Sequence, residues 1–275
     1  MATIPVPQPY DFLASTERFR AYGPDRATMW HDGGLSRVVN GREVRVEPAR
    51  AGVDVEPFDD EIESEVGWLL GLPLDLDAFW AWAVADPVLA GLRELLAGYR
   101  PPLAPDPWEM LVTLITAQQV SLHSAFAVRA RLTERFGVRY DRAWAFPTRE
   151  RIAAADEGEI REVGFSMRKA EYVTALARSP LDLDALRELP DVLVTESITA
   201  QRGLGRWSAD WVLARALGRP DAWPAGDLGV RKAVSFFYGS GRDLDETEVR
   251  AVGERFGSWR SVAAHMLLAG ERMHG

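Results

Sequence analysis

A glycine turn and a carboxylate lie about 20 residues apart in the C-terminal half of the chain. Gly203-Leu204-Gly205 separates two helical patterns, and Asp227 follows in a segment rich in proline and glycine. Such a turn leaves the first amides of the next helix free, and free helix amides bind phosphate. A carboxylate stabilises positive charge and activates water. The two features together therefore predict chemistry on a compound that carries phosphate.

Each feature also has a purely structural interpretation. Glycines at 203 and 205 permit close backbone approach, with Leu204 anchored in the core between them, but they would equally serve an ordinary helix–turn–helix connection. Asp227 stands at the start of a predicted helix, where aspartate is a favoured N-cap. The residues alone leave both alternatives open.

Composition excludes several kinds of site. The 275 residues include no cysteine, which rules out disulfides, thiol catalysis and thiolate-bound zinc or iron–sulfur clusters. The four histidines are scattered, so we expect no transition-metal site. Asp59-Asp60-Glu61 is part of the densest acidic run and would suit a metal-dependent nuclease, but such a run is typical of a solvated loop and helix start.

The charge is unevenly distributed along the chain. Net charge is −9, with 9 Arg against 17 Asp and Glu in residues 1–100, and 23 Arg and Lys against 24 Asp and Glu in residues 101–275. The near-neutral, arginine-rich C-terminal part could present a basic face to nucleic acid, as phosphate binding requires.

The pattern changes near residue 72. Residues 1–72 alternate in short segments between turn signals at Gly33-Gly34 and Asn40-Gly41, which predicts a small antiparallel sheet with a helix near Ser15–Tyr22. Residues 73–275 carry helical periodicity, including a long run over Trp108–Phe136 that should break near Gln118–Ser121. The predicted class is α+β, with a dominant helical part. No signal peptide or membrane-spanning run is evident, so we expect a cytoplasmic protein.

The glycine turn followed by Asp227 resembles the signature of the helix-hairpin-helix (HhH-GPD) DNA glycosylases. Further segments resemble the 3-methyladenine DNA glycosylase II type, and the likeness is tight from about Leu76 to Leu268. They are Pro9–Phe12, Ala85–Leu89, Phe146–Thr148, Ile152–Asp156, Met167–Tyr172 and Trp259–Ser261.

The resemblance implies a monofunctional DNA glycosylase that flips out alkylated purines and hydrolyses their glycosidic bond. Asp227 would be the catalytic carboxylate. Trp207 stands where bifunctional relatives carry a nucleophilic lysine, so no strand cleavage is expected. Trp207 and Trp211 would form aromatic walls for a cationic base; a core role for Trp207 is the alternative. Leu268 replaces a family pocket aromatic, which leaves the substrate range open.

The same resemblance implies how DNA is held. Gln118 or Gln119 would fill the gap left by the extruded nucleotide, unless both are simply exposed at a helix junction. The backbone carbonyls of Thr199, Gln201 and Leu204 would hold a structural Na⁺ or K⁺; no cofactor for catalysis is implied. The hairpin residues that would contact the DNA backbone are Arg202, Gly203, Leu204, Gly205, Arg206 and Ser208.

Two other functions remain open at this point. The same fold and chemistry could act on deaminated or oxidised bases such as hypoxanthine, and the hairpin alone could serve a non-catalytic DNA-binding protein. Damaged double-stranded DNA is the expected partner, and a monomer is the simplest expectation because flipping one lesion needs one protein molecule.

Overall fold

The computed structural model describes residues 1–274. It confirms the predicted α+β class, with a five-stranded antiparallel sheet near the N-terminus and helices through the rest of the described chain. The strands are β1 (Ala2–Pro5), β2 (Thr28–His31), β3 (Gly34–Val39), β4 (Arg42–Ala49) and β5 (Gly52–Glu56), with a small hairpin, β6 (Val138–Arg139) and β7 (Trp144–Ala145), further along.

Two-residue turns build most of the sheet. Its strand order is β1-β5-β4-β3-β2. Asp32-Gly33 and Asn40-Gly41 connect consecutive strands, and all four residues have positive φ. Such turns match the twist of antiparallel strands. The turn at Asn40-Gly41 is therefore confirmed, whereas the first turn falls one residue before the predicted Gly33-Gly34, because Gly34 already pairs with His31.

The helical bounds mostly follow the sequence pattern. The long periodic run is divided into two helices near Gln118–Ser121, as predicted. The predicted helix near Ser15–Tyr22 is wrong: a short helix ends at Ser15 and is followed by a 3₁₀ turn at Glu17–Phe19. The helices are α1 (Phe12–Ser15), α2 (Asp60–Leu69), α3 (Leu76–Ala83), α4 (Pro87–Leu95), α5 (Pro107–Ala117), α6 (Leu122–Phe136), α7 (Arg149–Ala153), α8 (Glu157–Glu162), α9 (Met167–Arg178), α10 (Asp191–Thr199), α11 (Arg206–Trp211), α12 (Leu228–Tyr238), α13 (Glu246–Gly253) and α14 (Arg260–His274).

The acidic run at Asp59–Glu65 starts a helix. Asp59 caps α2 by accepting a hydrogen bond from the Ile62 amide, and it forms an ion pair with Arg42. Acidic residues in a first turn also complement the helix dipole. Among residues 1–274, no three His, Asp or Glu side chains are grouped to hold a metal ion.

Two clusters of buried side chains fill the interior. One lies between the sheet and α2 and ends at Leu70; the other occupies the helical region from Leu74 onward. The division of the chain into two domains at residue 72 stays a prediction. No helix among the described residues is both long and apolar enough to cross a bilayer.

A buried ion network joins the sheet to the helices. Glu109 on α5 accepts hydrogen bonds from Arg37 of β3 at 2.7 Å and from Arg129 of α6 at 2.5 Å. Arg129 also pairs with Asp25, just before β2. Burial by itself would raise the pKa of Glu109, but the two arginine charges outweigh it and hold that pKa below its ordinary value. The carboxylate is thus charged, buried and fully paired.

We expect Glu109→Ala to destabilise the protein by about 3–5 kcal/mol, because removing one member of a buried ion network strands the remaining charges. Glu134→Ala is the matched control, since Glu134 pairs at 2.6 Å with Arg26 near the same junction but remains about a third exposed; its loss should cost at most about 1 kcal/mol. Urea unfolding at neutral pH measures both. Equal effects would contradict a structural role for the buried network.

Candidate active site

The predicted hairpin is formed by α10, the turn at residues 200–205 and α11. Gly203 has a φ of +83°, and a Cβ there would lie 2.2 Å from the ring of Tyr172 on α9. Both the backbone conformation and the packed tyrosine therefore require glycine at this position. Gly205, in contrast, has open space where a side chain would be.

The turn presents backbone amides outward. The Ser208 amide donates to the Gly205 carbonyl at 2.9 Å, and within residues 1–274 the amides of Arg206 and Trp207 have no acceptor. Arg202 and Arg206 are exposed, whereas Leu204 and Ser208 are buried. The predicted hairpin residues thus divide into a surface set that includes both arginines and a pair of side chains that anchor the turn.

The carbonyls predicted to hold a cation belong to the end of α10 and the turn of this hairpin. The Gln201 carbonyl accepts a hydrogen bond from the Leu204 amide at 3.1 Å, while those of Thr199 and Leu204 accept none from the described part of the chain. Carbonyl oxygens are suitable ligands for hard monovalent cations, so the chemistry of the donor set fits the predicted ion. The cation itself stays a prediction.

Asp227 sits where the hairpin meets α12. Its Oδ1 accepts a hydrogen bond from the Val230 amide at 3.0 Å and so caps α12. Its Oδ2 accepts hydrogen bonds from the indole Nε1 of Trp207 at 2.8 Å and of Trp211 at 3.1 Å. A carboxylate has about four acceptor positions. Donors among residues 1–274 use three of them, and the fourth, on Oδ1, is open.

Hydrogen bonds hold the loop before Asp227, and the start of α12 leaves space beside the carboxylate. The Asp227 amide donates to the Pro224 carbonyl at 2.9 Å, and the indole of buried Trp223 donates to the Val249 carbonyl at 3.0 Å. A Cβ on Gly229 would stand 3.1 Å from Asp227 Oδ1 and 3.2 Å from Leu268 Cδ2. Glycine at 229 therefore leaves room beside the carboxylate.

The two tryptophans are held together by helix spacing. Trp207 and Trp211 are four residues apart on α11, so their side chains lie on one face. The helix then continues as a π-helical turn over Val212–Ala216, and Arg215, four residues further, places its guanidinium 4.4 Å from the centre of the Trp211 ring. Arg215 was not among the residues singled out from sequence, since only the fold brings it here. The faces of Trp211 are therefore largely covered by protein.

Gln118 and Gln119 have different surroundings. Gln118 is half-buried and donates from Nε2 to the Gly203 carbonyl at 2.8 Å, which ties the α5–α6 junction to the hairpin. Gln119 is exposed and has a φ of +54°, uncommon for a residue with a side chain. Exposure continues through Val120 and Leu122. Gln118 is therefore bound to the hairpin, whereas the exposed residues 119–122 form a projecting segment.

Within residues 1–274, neither of the two lysines forms a hydrogen bond with the Asp227 carboxylate. Lys169 donates to the Thr116 carbonyl at 2.9 Å, and partial burial lowers the pKa of its amine. Lys232 is exposed on α12. At position 207, where a lysine would reach Asp227, the chain has the Trp207 indole instead.

Known proteins share this architecture. The chain is 26% identical over 239 residues to a DNA-3-methyladenine glycosylase of Bacillus subtilis (strain 168), covering 84% of this chain and 79% of the relative. The 3-methyladenine DNA-glycosylase from Archaeoglobus fulgidus superposes with a TM-score of 0.89 at 28% identity, over 99% of each chain.

A third similar structure contains DNA. The 3-methyladenine DNA glycosylase of Schizosaccharomyces pombe in complex with abasic DNA superposes with a TM-score of 0.58 at 26% identity, covering 66% of this chain and 90% of that one. The model of the HhH-GPD superfamily base excision DNA repair proteins matches residues 112–257, which include both the hairpin and Asp227. The match spans more than half of the chain and confirms the resemblance: this chain belongs to the HhH-GPD superfamily of base excision DNA repair proteins.

Proposed function

We propose that the protein is a monofunctional DNA glycosylase that removes alkylated purines and leaves an abasic site. The observation that carries this proposal is the Asp227 carboxylate, fixed by two indoles beside the free amides of the hairpin. The relatives named 3-methyladenine DNA glycosylases support the substrate class.

Asp227 would act on the sugar of the damaged nucleotide. Cleavage of a glycosidic bond develops positive charge on C1′ and the ring oxygen, and a nearby carboxylate stabilises that charge. The open acceptor position on Oδ1 would receive a proton from the water that attacks C1′. The indoles cannot take up a proton themselves, so their role is to keep the carboxylate oriented.

The hairpin would hold the DNA backbone. The amides of Arg206 and Trp207 would donate to a phosphate, and the guanidinium groups of Arg202 and Arg206 would add charge from the surface. None of these groups distinguishes one base from another. Binding at this hairpin would therefore position any DNA sequence in front of Asp227, as a repair enzyme requires.

Gln119 is the better placed of the two candidate plugs. Gln118 already uses its amide to bind the hairpin. The side chain of Gln119 is exposed, makes no hydrogen bond within residues 1–274, and projects from a backbone held in a left-handed conformation. Extrusion of a nucleotide costs a few kcal/mol, which a plug would partly offset. We propose that Gln119 fills the gap and that Gln118 keeps the plug in register with the hairpin.

The surroundings of the lysines support hydrolysis without strand cleavage. A lyase reaction needs an amine that attacks C1′ and forms a Schiff base. The indole of Trp207 stands at the corresponding position, Lys169 is bound to the Thr116 carbonyl, and Lys232 is on an exposed face. Water is then the available nucleophile.

Asp227→Asn should lower the rate constant for base release by about 10²–10⁴-fold, the usual contribution of a general base, and keep the cap of α12, because asparagine caps helices as well as aspartate does; its amide nitrogen cannot accept the hydrogen bonds of the two indoles. The control is Asp245→Asn, which alters the equivalent cap of α13 outside the site. Base release from a duplex with one methylated purine, under single turnover, measures both. Full activity in Asp227→Asn would sink the proposal.

Borohydride reduction tests the choice of nucleophile. With a lesion-bearing duplex, the wild-type protein should give no covalent adduct on a denaturing gel, and the strand should break only after alkali. A bifunctional glycosylase run in parallel shows that trapping works. An adduct that disappears in Lys169→Ala or Lys232→Ala would mean that an amine attacks C1′ and that the enzyme is a lyase.

A further inference from the structure

Arg206 of the hairpin is bound to a buried carboxylate of its own helix. Its Nε donates to Asp210 Oδ1 at 2.7 Å. The two residues differ in exposure, since the Arg206 side chain is 61% exposed and the Asp210 side chain only 1%. They are four residues apart, so both lie on one face of α11. A surface arginine thus has a fixed attachment point in the interior.

This hydrogen bond occupies one nitrogen of the guanidinium and leaves the other two. Within residues 1–274, Nε is the one guanidinium nitrogen of Arg206 that has an acceptor, so the terminal nitrogens Nη1 and Nη2 are open. Those two nitrogens form a planar fork that matches two oxygens of a phosphate. The bond to Asp210 therefore orients Arg206 without using the part of its side chain that would contact DNA.

The Asp210 carboxylate is costly to bury. Its Oδ2 has no hydrogen-bond partner among the described residues. Burial raises the pKa of Asp210, and the hydrogen bond and charge of Arg206 oppose that rise. A buried charged oxygen without a partner costs free energy, and apolar replacements of buried ion pairs are often equally stable. The presence of a carboxylate at this position therefore calls for an explanation other than stability.

The charges around Asp210 leave Arg206 as its partner. Glu246 and Arg250 of α13 are close enough to influence the ionisation of Asp210, but they form an ion pair with each other at 2.8 Å. Arg206 is the one ion-pair partner of Asp210 within residues 1–274. Because separating the two would strand a buried charge, the pair should persist when DNA approaches.

The second arginine of the hairpin is held in a different way. Arg202 donates to Glu171 of α9 at 2.8 Å through its terminal Nη2, and both side chains reach the solvent. A phosphate that bound Arg202 would compete with Glu171 for that nitrogen. The carboxylate at Arg202 therefore opposes DNA binding, whereas the carboxylate at Arg206 leaves both terminal nitrogens available.

We propose that Asp210 is a positioning residue, whose buried carboxylate holds Arg206 so that its terminal nitrogens are oriented toward the DNA backbone before binding. The inference rests on the proposed function, in which Arg206 contacts a phosphate, and it adds the residue that prepares this contact. An arginine that is ordered in advance loses less conformational entropy on binding. Asp210 would thus raise the affinity for DNA even though its charge repels phosphate.

The experiment measures the dissociation constant of a duplex that contains an abasic-site analogue, by fluorescence anisotropy at fixed salt concentration. Asp210→Ala should weaken binding about two- to tenfold, the cost of immobilising one flexible side chain. Asp210→Asn removes the same charge but keeps an oxygen that can accept from Nε, so it should recover most of that loss. Removal of charge alone would make both variants bind more tightly than the wild type.

Two further comparisons separate positioning from other roles. Arg206→Met should itself weaken binding, and adding Asp210→Ala to it should cause no further loss, because the carboxylate acts through Arg206. Glu171→Ala is the matched control at the other arginine of the hairpin. It should bind the duplex as tightly as the wild type or more tightly, since it releases the terminal nitrogen of Arg202.

Several outcomes would overturn the inference. They are tighter binding by Asp210→Ala, equal binding by Asp210→Ala and Asp210→Asn, and an additive loss in the double variant. If the wild type bound no DNA, the proposed function itself would fail. Should Asp210→Ala not fold, Arg206→Lys decides: an ammonium keeps the charge but offers neither Nε nor a fork, so binding must fall close to that of Arg206→Met. Wild-type affinity in Arg206→Lys would show that charge suffices and that no positioning is needed.

Discussion

The carboxylate of Asp227 accepts hydrogen bonds from an amide of its own helix and from two indoles of another. These bonds depend on separate parts of the fold. The amide bond depends on the position of Asp227 at the start of α12, and the indole bonds depend on the four-residue spacing of Trp207 and Trp211 on α11. A carboxylate rotates freely unless its oxygens are held. Because both oxygens are held here, the remaining acceptor position has a fixed direction, which a catalytic group requires.

Contacts at Gly203 fix the positions of the helices around this carboxylate. Tyr172 packs on Gly203 and keeps the hairpin sharp, and Gln118 binds the carbonyl of that same glycine. The projecting segment after α5 is therefore set relative to the hairpin, and the hairpin relative to Asp227. The sheet joins this unit through Glu109 and its two arginines, in the interior. The segment Ala14–Arg18 lines a small cavity together with Arg215 and His265.

Local patterns predicted much of this architecture, because they reflect contacts between near neighbours. The break before α6 followed from Gln118–Ser121, and the hairpin at Asn40-Gly41 from residues that tolerate positive φ. Strand β1 was missed since its ladder is completed by β5, fifty residues away.

The site shows the same division between local and long-range information. Asp227 was identified with both of its properties, the helix cap and a potential catalytic role, and the cap is confirmed. The convergence of Trp207 and Trp211 on its Oδ2 was not predictable, because the path of residues 212–226 depends on packing. Arg215 and His265 have no motif. Their proximity could not be predicted, because it arises only when α14 and the N-terminal segment pack around a common cavity.

The most direct test is to incubate the wild-type protein with duplex DNA treated with a methylating agent, and to separate the released bases by chromatography. If Asp227 catalyses hydrolysis, methylated purines should be released in proportion to the amount of active protein, and the strands should remain intact until alkali is added. Binding to the same DNA without release of any base would contradict it, and would leave the hairpin as a DNA-binding element with Asp227 serving only to cap α12.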